Sequence, residues 1–157
     1  RPETVDNPKR LKTVIKSIIN LKEELKIKII FPIHPRTKKK INNLKINNLN
    51  KLFIIKPCSY SESLRYQKKS KLVLTDSGGV QEEACILKTP CVTIRNNTER
   101  PETIKIKSNI LTGYNAKLIK KAIYKMLKSK KSWENPYGKF VSNKILKILI
   151  KEYKNEN

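Results

Sequence analysis

Short apolar runs alternate along this chain with segments whose apolar residues recur at helical spacing. The runs at residues 27–33, 52–55, 71–75, 91–94 and 109–112 predict five strands. Helical spacing predicts helices from residue 8 to 25, over 37–47, 61–69, 80–87 and 116–127, and at the end from residue 141. Residues 96–103 are predicted as a polar loop with a short helix. Strands that alternate with helices favour an α/β fold, a Rossmann-like parallel sheet with helices on both faces.

Length and composition indicate one globular domain, residues 1–157. A chain of 157 residues with 38% hydrophobic and 31% charged residues can bury a sizeable core. No apolar run approaches the length needed to span a bilayer, and no signal peptide pattern is visible. We therefore expect a cytoplasmic protein without a membrane partner. The chain does not begin with Met, and we expect a fragment or a domain cut from a longer protein.

The formal net charge of +23 raises the alternative of a basic nucleic-acid-binding module. Three observations weigh against it. Lys, Ile and Asn are all abundant, as codons rich in A and T would produce, and the basic residues are scattered rather than banded. Aromatic residues make up only 6% of the chain, so no platform for stacking bases is visible. We interpret the charge as a solvated surface, with no nucleic-acid partner.

The cysteines and the single histidine do not predict a metal site. Cys58, Cys85 and Cys91 lack the spacing of metal ligands, and an odd number without a disulfide framework fits a reducing compartment. Cys85 and Cys91 lie in apolar surroundings, where they are expected to be small core residues. His34 has no second histidine and no carboxylate at ligand spacing, so neither a metal nor a cofactor is expected.

Residues 76–83, Asp-Ser-Gly-Gly-Val-Gln-Glu-Glu, follow a predicted strand directly and are the most informative segment. The N-terminus of a helix attracts anions, and glycines let a phosphate approach the backbone. Glu82 and Glu83, one turn further on, suggest a ligand that also carries hydroxyls, such as a sugar nucleotide. The alternative is an ordinary turn capped by Asp76 or Ser77, with carboxylates favoured by the helix dipole.

Two further segments follow predicted strands and could meet this turn at one sheet edge, where parallel sheets bind ligands. The first holds Arg95 and Arg100, and arginine forms a planar fork of donors suited to phosphate. Alternatively, Arg100 pairs with Glu99 or Glu102. The second segment holds His34, whose role at that edge is either structural or functional.

Together these segments resemble the non-hydrolysing UDP-N-acetylglucosamine 2-epimerase family. The resemblance rests on Phe-Pro-Ile-His-Pro-Arg-Thr (31–37), Thr-Asp-Ser-Gly-Gly-Val-Gln-Glu-Glu (75–83), Thr-Glu-Arg-Pro-Glu (98–102) and, more weakly, Asn-Pro-Tyr-Gly (135–138). The first seven residues resemble the family's His-Arg-x-Glu-Asn segment without its histidine. The resemblance implies the carboxyl-terminal, UDP-binding half of a two-domain GT-B fold, in which two Rossmann-like domains face each other across a cleft.

The resemblance also implies roles for particular residues. Ser77, Gly78 and Gly79 would hold the diphosphate, and Glu83 would accept hydrogen bonds from the ribose hydroxyls. Arg100 would be the catalytic residue of this half, because it would stabilise negative charge on the leaving UDP. The resemblance further implies that Arg1 and His34 contact a second substrate molecule that activates bacterial members. Ser63 stands where many members carry an aromatic residue near the uracil, and Lys139-Phe140 replaces the usual Asp-Gly.

The resemblance implies an isomerase that interconverts UDP-N-acetylglucosamine and UDP-N-acetylmannosamine by eliminating UDP and adding it back. The family's acid and base carboxylates lie in the amino-terminal domain, which this chain lacks, so we expect the chain alone to bind UDP weakly and to be inactive. The complete protein is expected to be a homodimer that binds a UDP-sugar. A hydrolysing epimerase and a GT-B glycosyltransferase remain the alternatives within the same architecture.

Overall fold

The structure, a computed structural model, describes residues 1–155 and contains the predicted alternation of strands and helices. The strands are Ile30–Pro32 (β1), Phe53–Ile55 (β2), Val73–Thr75 (β3), Cys91–Thr93 (β4) and Asn109–Leu111 (β5). The helices are Pro2–Val5 (α1), Pro8–Leu25 (α2), Pro35–Asn43 (α3), Tyr60–Lys69 (α4), Gly78–Ile86 (α5), Pro101–Lys105 (α6), Ala116–Leu127 (α7) and Val141–Asn155 (α8). A 3₁₀ turn covers Leu49–Lys51.

All strand pairs are parallel, as predicted, but the hydrogen-bonded ladders form two groups rather than one sheet. β1 pairs with β2, while β4 lies between β3 and β5. Within residues 1–155 no ladder joins the two groups. An apolar run indicates that a strand is buried and not which neighbour it bonds to, so the sequence could not predict this division.

Several helix boundaries differ from the predicted ones for identifiable reasons. α3 begins at Pro35, whose fixed φ suits the first helical turn, and ends at Asn43 rather than at residue 47. α5 begins at Gly78 rather than at residue 80, so both glycines belong to the helix. The short helix α1 was not predicted, because four residues are too few to show periodicity.

Two hydrophobic clusters form the core, and α2 contributes to both. One side of α2 packs with α7 and β4 through the buried residues Val14, Leu21, Val92, Ile119, Ile123 and Met126. Its other side packs against the β1–β2 pair and α3 through Leu11, Ile15, Ile19, Ile33, Ile41 and Leu52. Cys85 and Cys91 are each 1% exposed, which confirms their prediction as core residues.

A buried network of hydrogen bonds ties the start of α5 to the loop after β4 and to β5. The Gln81 amide Nε2 donates to the Ser77 carbonyl (3.2 Å). Its Oε1 accepts from Thr98 Oγ1 (2.6 Å) and from Asn109 Nδ2 (3.1 Å). Asn109 Oδ1 in turn accepts from Thr93 Oγ1 (2.9 Å). Gln81 and Thr93 are fully buried and Asn109 nearly so, so these bonds replace water for groups that have no access to it.

The end of the chain is held at one point and exposed beyond it. Trp133, which is 7% exposed, donates from its indole Nε1 to the Cys85 carbonyl at 3.0 Å and so anchors the loop before α8 to α5. The Asn135 side chain closes the turn at residues 135–138 by accepting a hydrogen bond from Tyr137 N at 3.0 Å. No residue of α8 is buried. None of the helices within residues 1–155 is long and apolar enough to cross a membrane.

Replacing Gln81 with leucine is expected to destabilise the chain by about 1–3 kcal/mol, because the buried Asn109 amide and the half-buried Thr98 hydroxyl lose their acceptor. Asn109→Leu should have a comparable effect. The double variant should lose less unfolding free energy than the two single variants combined, because removing both side chains leaves neither of them without its partner. Urea unfolding of the four proteins measures this coupling. Simple additivity would contradict a shared network.

Candidate functional site

The turn between β3 and α5 presents a row of unbonded backbone N–H groups. Thr75 Oγ1 accepts from the Ser77 N–H at 3.0 Å, which fixes the turn, and Ser77 is the N-cap residue of α5. Its side chain makes no capping hydrogen bond, so the alternative of a turn capped by Ser77 is wrong. Among residues 1–155, the N–H groups of residues 78–80 have no acceptor. Such a helix start is a ready site for an anion.

A Cβ atom at either glycine of this turn would fit without a clash. A Cβ on Gly78 would lie 3.5 Å from Glu99 Oε2 and 4.0 Å from Arg1 Nη2, and one on Gly79 would lie 3.9 Å from Glu83 Oε1. These are ordinary contact distances, and neither glycine has a positive φ. Neither the backbone nor the packing therefore requires glycine here, which favours close approach of a ligand as the reason for both.

Glu83 lies on α5 with its two carboxylate oxygens in different surroundings. Oε2 accepts a 2.5 Å hydrogen bond from the Gln67 amide Nε2 on α4. Oε1 is the atom that lies nearest to the space above Gly79. The structure thus places a half-buried carboxylate beside the predicted diphosphate turn, with one oxygen left to accept hydrogen bonds from a ligand.

Arg100 reaches the same helix from the loop after β4. Its Nε forms an ion pair with Glu82 Oε1, and its Nη1 donates to the Glu99 carbonyl at 2.9 Å. The predicted alternative of a pair with the Glu99 or Glu102 side chain is therefore wrong. The correct partner lies on α5, which sequence distance concealed. Both side chains of the Arg100–Glu82 pair are about one-third exposed, at 32% and 34%, so the guanidinium remains within reach of a ligand.

Arg95 is committed to a different partner. Its guanidinium donates to both oxygens of Glu99, each at 2.8 Å, in a forked arrangement, and only 10% of the Arg95 side chain is exposed. This pairing lowers the pKa of Glu99 to about 2. Of the two arginines in the segment, Arg100 is therefore the one suited to contact a phosphate.

Residues 1–6 bring the His34 loop and the β3–α5 turn towards one another. At one end, the main-chain amino group of Arg1 lies 2.8 Å from Asp76 Oδ2. At the other end, Asp6 pairs with the guanidinium of Arg36, two residues beyond His34. His34 itself is exposed, and its Nδ1 accepts from the Arg36 N–H at 3.2 Å as the N-cap of α3. His34 therefore has a structural role as a helix cap. Its other ring nitrogen, Nε2, takes no part in the cap and is the atom with which His34 could contact a ligand.

Sequence reasoning missed the two glutamines that organise the site. Gln81 was visible as a polar residue inside the apolar face of the helix after the glycines, and this could have signalled a buried network. Gln67 lies in a largely polar helix, so nothing in the sequence distinguished it. Within residues 1–155, no group of three or more His, Cys, Asp or Glu side chains could hold a metal ion.

The ion pair of Glu99 predicts a pH dependence of stability. Because its pKa in the folded chain lies below the ordinary 4.5, the stabilisation is present above pH 4.5 and is lost as the pH falls towards 2. Glu99→Gln should therefore lower the melting temperature at pH 7, and the difference from the wild type should shrink below pH 4.5. Glu134→Gln, which changes the same residue type at an exposed position in the loop before α8, is the matched control. A difference that stays constant down to pH 2 would contradict the pairing.

Comparison with known proteins gives consistent matches over nearly the whole chain. The family model described as UDP-N-acetylglucosamine 2-epimerase matches residues 1–150. UDP-N-acetylglucosamine 2-epimerases of Methanocaldococcus jannaschii and Methanococcus maripaludis are each 48% identical over 154 residues. These matches cover 95% and 96% of this chain, and 42% of each relative.

Solved structures agree in fold. The M. jannaschii enzyme in complex with UDP-GlcNAc and UDP matches 96% of this chain and 43% of its own, with a TM-score of 0.89 and 48% identity. The Neisseria meningitidis enzyme bound to UDP-GlcNAc matches 89% of this chain and 41% of its own, with a TM-score of 0.72 and 29% identity. This confirms the predicted fold class, and the chain spans less than half the length of the relatives it matches. The chain belongs to the UDP-N-acetylglucosamine 2-epimerase family.

Proposed function

We propose that this chain is the nucleotide-binding half of an isomerase that interconverts UDP-N-acetylglucosamine and UDP-N-acetylmannosamine. The observation that carries the proposal is the start of α5. Within residues 1–155 the N–H groups of residues 78–80 have no acceptor, the Glu83 carboxylate lies beside Gly79, and Arg100 contacts Glu82 on the same helix. The M. jannaschii relative, solved with UDP-GlcNAc and UDP, supports the choice of ligand.

Each part of the site has a role in holding UDP. The backbone N–H groups of Gly78 and Gly79 and the Ser77 hydroxyl bind the diphosphate, aided by the helix dipole. Glu83 accepts hydrogen bonds from the ribose hydroxyls. Arg100 exchanges its partly exposed contact with Glu82 for a phosphate oxygen, which costs little because exposed ion pairs are weak.

In the proposed reaction, negative charge develops on the leaving UDP, which these groups hold. As the proton at C2 of the sugar is removed, the C1–O bond breaks, and its electron pair leaves on the β-phosphate of UDP. The products of this step are UDP and 2-acetamidoglucal. Return of the proton to the opposite face of C2, with addition of UDP at C1, gives the epimer. Arg100 and the N–H groups of α5 stabilise UDP as its charge develops, which is their catalytic contribution.

Removal of the C2 proton needs a base and its return to the opposite face needs an acid, and we assign both to the part of the family fold outside this chain. The chain spans 42% of the relatives' length, and its site holds donors for the leaving group. Helix α8 supports the same view, because Ile145, Leu146, Ile148, Leu149 and Tyr153 are each more than half exposed. An apolar face of this kind is typical of a surface that another domain covers.

Arg1 and His34 fit a second, regulatory role in this proposal. Arg1 lies beside the glycine turn, and His34 is exposed at the end of β1. We assign both to the binding of an activating substrate molecule, and His34 acts there as a binding residue rather than a base. We further propose a cytoplasmic homodimer for the complete protein. The free thiols of Cys58, Cys85 and Cys91 are consistent with a reducing compartment.

Replacing Arg100 with alanine should weaken UDP binding by about 10–100-fold, because a hydrogen bond to a charged phosphate is lost. Titration calorimetry of this chain with UDP measures the effect. Lys121→Ala is the control, because it removes one positive charge from an exposed position on α7. Equal affinities of wild type and Arg100→Ala would contradict a phosphate contact.

The chain alone should bind UDP and yet fail to convert UDP-N-acetylglucosamine, because leaving-group donors cannot remove the C2 proton. Incubation with the sugar nucleotide, followed by chromatography of the products, checks this. Appearance of UDP-N-acetylmannosamine would show that the acid and base lie within this chain. Release of free N-acetylmannosamine by the complete protein would instead identify a hydrolysing enzyme.

A further inference from the structure

Gln67 is held in place from several directions beneath the site. The residue is 6% exposed, and its main-chain carbonyl accepts a hydrogen bond from Thr89 Oγ1 at 3.0 Å. Its side-chain Nε2 donates to Glu83 Oε2 at 2.5 Å and lies 3.3 Å from Ser63 Oγ, its second acceptor. The amide group is therefore fixed relative to both α4 and α5, and the carboxylate it contacts is fixed with it.

We propose that Gln67 is a positioning residue that sets the orientation of Glu83 for ribose recognition. A glutamate side chain has several rotatable bonds, and binding must otherwise oppose the entropy of ordering them. With Oε2 held by Gln67, Oε1 faces the space above Gly79. That is where a ribose joined to a diphosphate on the α5 N-terminus would present its hydroxyls. The inference rests on the proposed function and adds a specificity determinant to it.

The hydrogen bonding of Gln67 argues against packing alone as its role. Its Oε1 is buried and has no hydrogen-bond partner among residues 1–155. A buried carbonyl without a partner lowers stability, and an apolar side chain of similar volume would remove that cost. A glutamine here is therefore better explained by what its N–H group does for Glu83 than by its contribution to the core.

The test compares binding of UDP and of 2′,3′-dideoxy-UDP, which lacks both ribose hydroxyls, by calorimetry on this chain. The wild type should prefer UDP by about ten-fold or more, and Glu83→Gln should reduce that preference strongly. Gln67→Met, which matches the volume but donates no hydrogen bond, should reduce it several-fold. Its melting temperature should change little, because loss of the bond to Glu83 and removal of the unpartnered Oε1 act in opposite directions. Lys68→Ala, at an exposed position on the same helix, is the matched control and should keep the preference.

Each result bears on a separate statement. Retention of the full preference in Gln67→Met would overturn the positioning role and leave UDP binding intact. A large fall in its melting temperature would show a structural role and would also overturn the proposal. If Glu83→Gln preferred UDP over the dideoxy nucleotide as strongly as the wild type does, Glu83 would be excluded as the ribose acceptor. Failure of the wild type to bind UDP would overturn the proposed function, and this inference with it.

Discussion

The side-chain amide of Gln81 links the three segments on which the site depends. It donates to the Ser77 carbonyl in the glycine turn and accepts from Thr98 in the arginine loop and from Asn109 on β5. Asn109 Nδ2 also contacts Thr103 Oγ1 at 3.2 Å, and Thr103 donates to the Arg100 carbonyl at 2.8 Å. Gln81, Asn109 and Thr103 are each at most 1% exposed, so their polar groups must keep these partners, and the turn and the loop are held in one arrangement.

Electrostatic pairing at the site is local and specific, although the chain as a whole carries a net charge of +23. Arg95 is neutralised by Glu99 in a forked pair, whereas Arg100 contacts Glu82 in a partly exposed pair. The first arrangement fixes the loop, and the second leaves a guanidinium that a diphosphate can recruit. The scattered lysines attract any anion, so the proposed selectivity for UDP depends on these few placed groups.

Much of the fold followed from the sequence, because apolar periodicity reports burial directly. The five strands and the helix at 116–127 were predicted on that basis, and the last is reproduced residue for residue. Interactions between distant segments were not predictable in the same way. The partner of Arg100 is Glu82 on another element, and the donor to Glu83 is Gln67 on α4. The split of the strands into two ladders also depends on tertiary position, which a local pattern does not encode.

In the proposed function, the N-terminus of α5 holds the diphosphate of a uridine nucleotide. NMR spectroscopy can follow the backbone amide resonances of this chain during titration with UDP and with uridine. The resonances of Gly78, Gly79 and Val80 should shift with UDP far more than with uridine, because only UDP brings phosphates to those N–H groups. Shifts confined to the lysine-rich surface, with these three resonances unmoved, would contradict it.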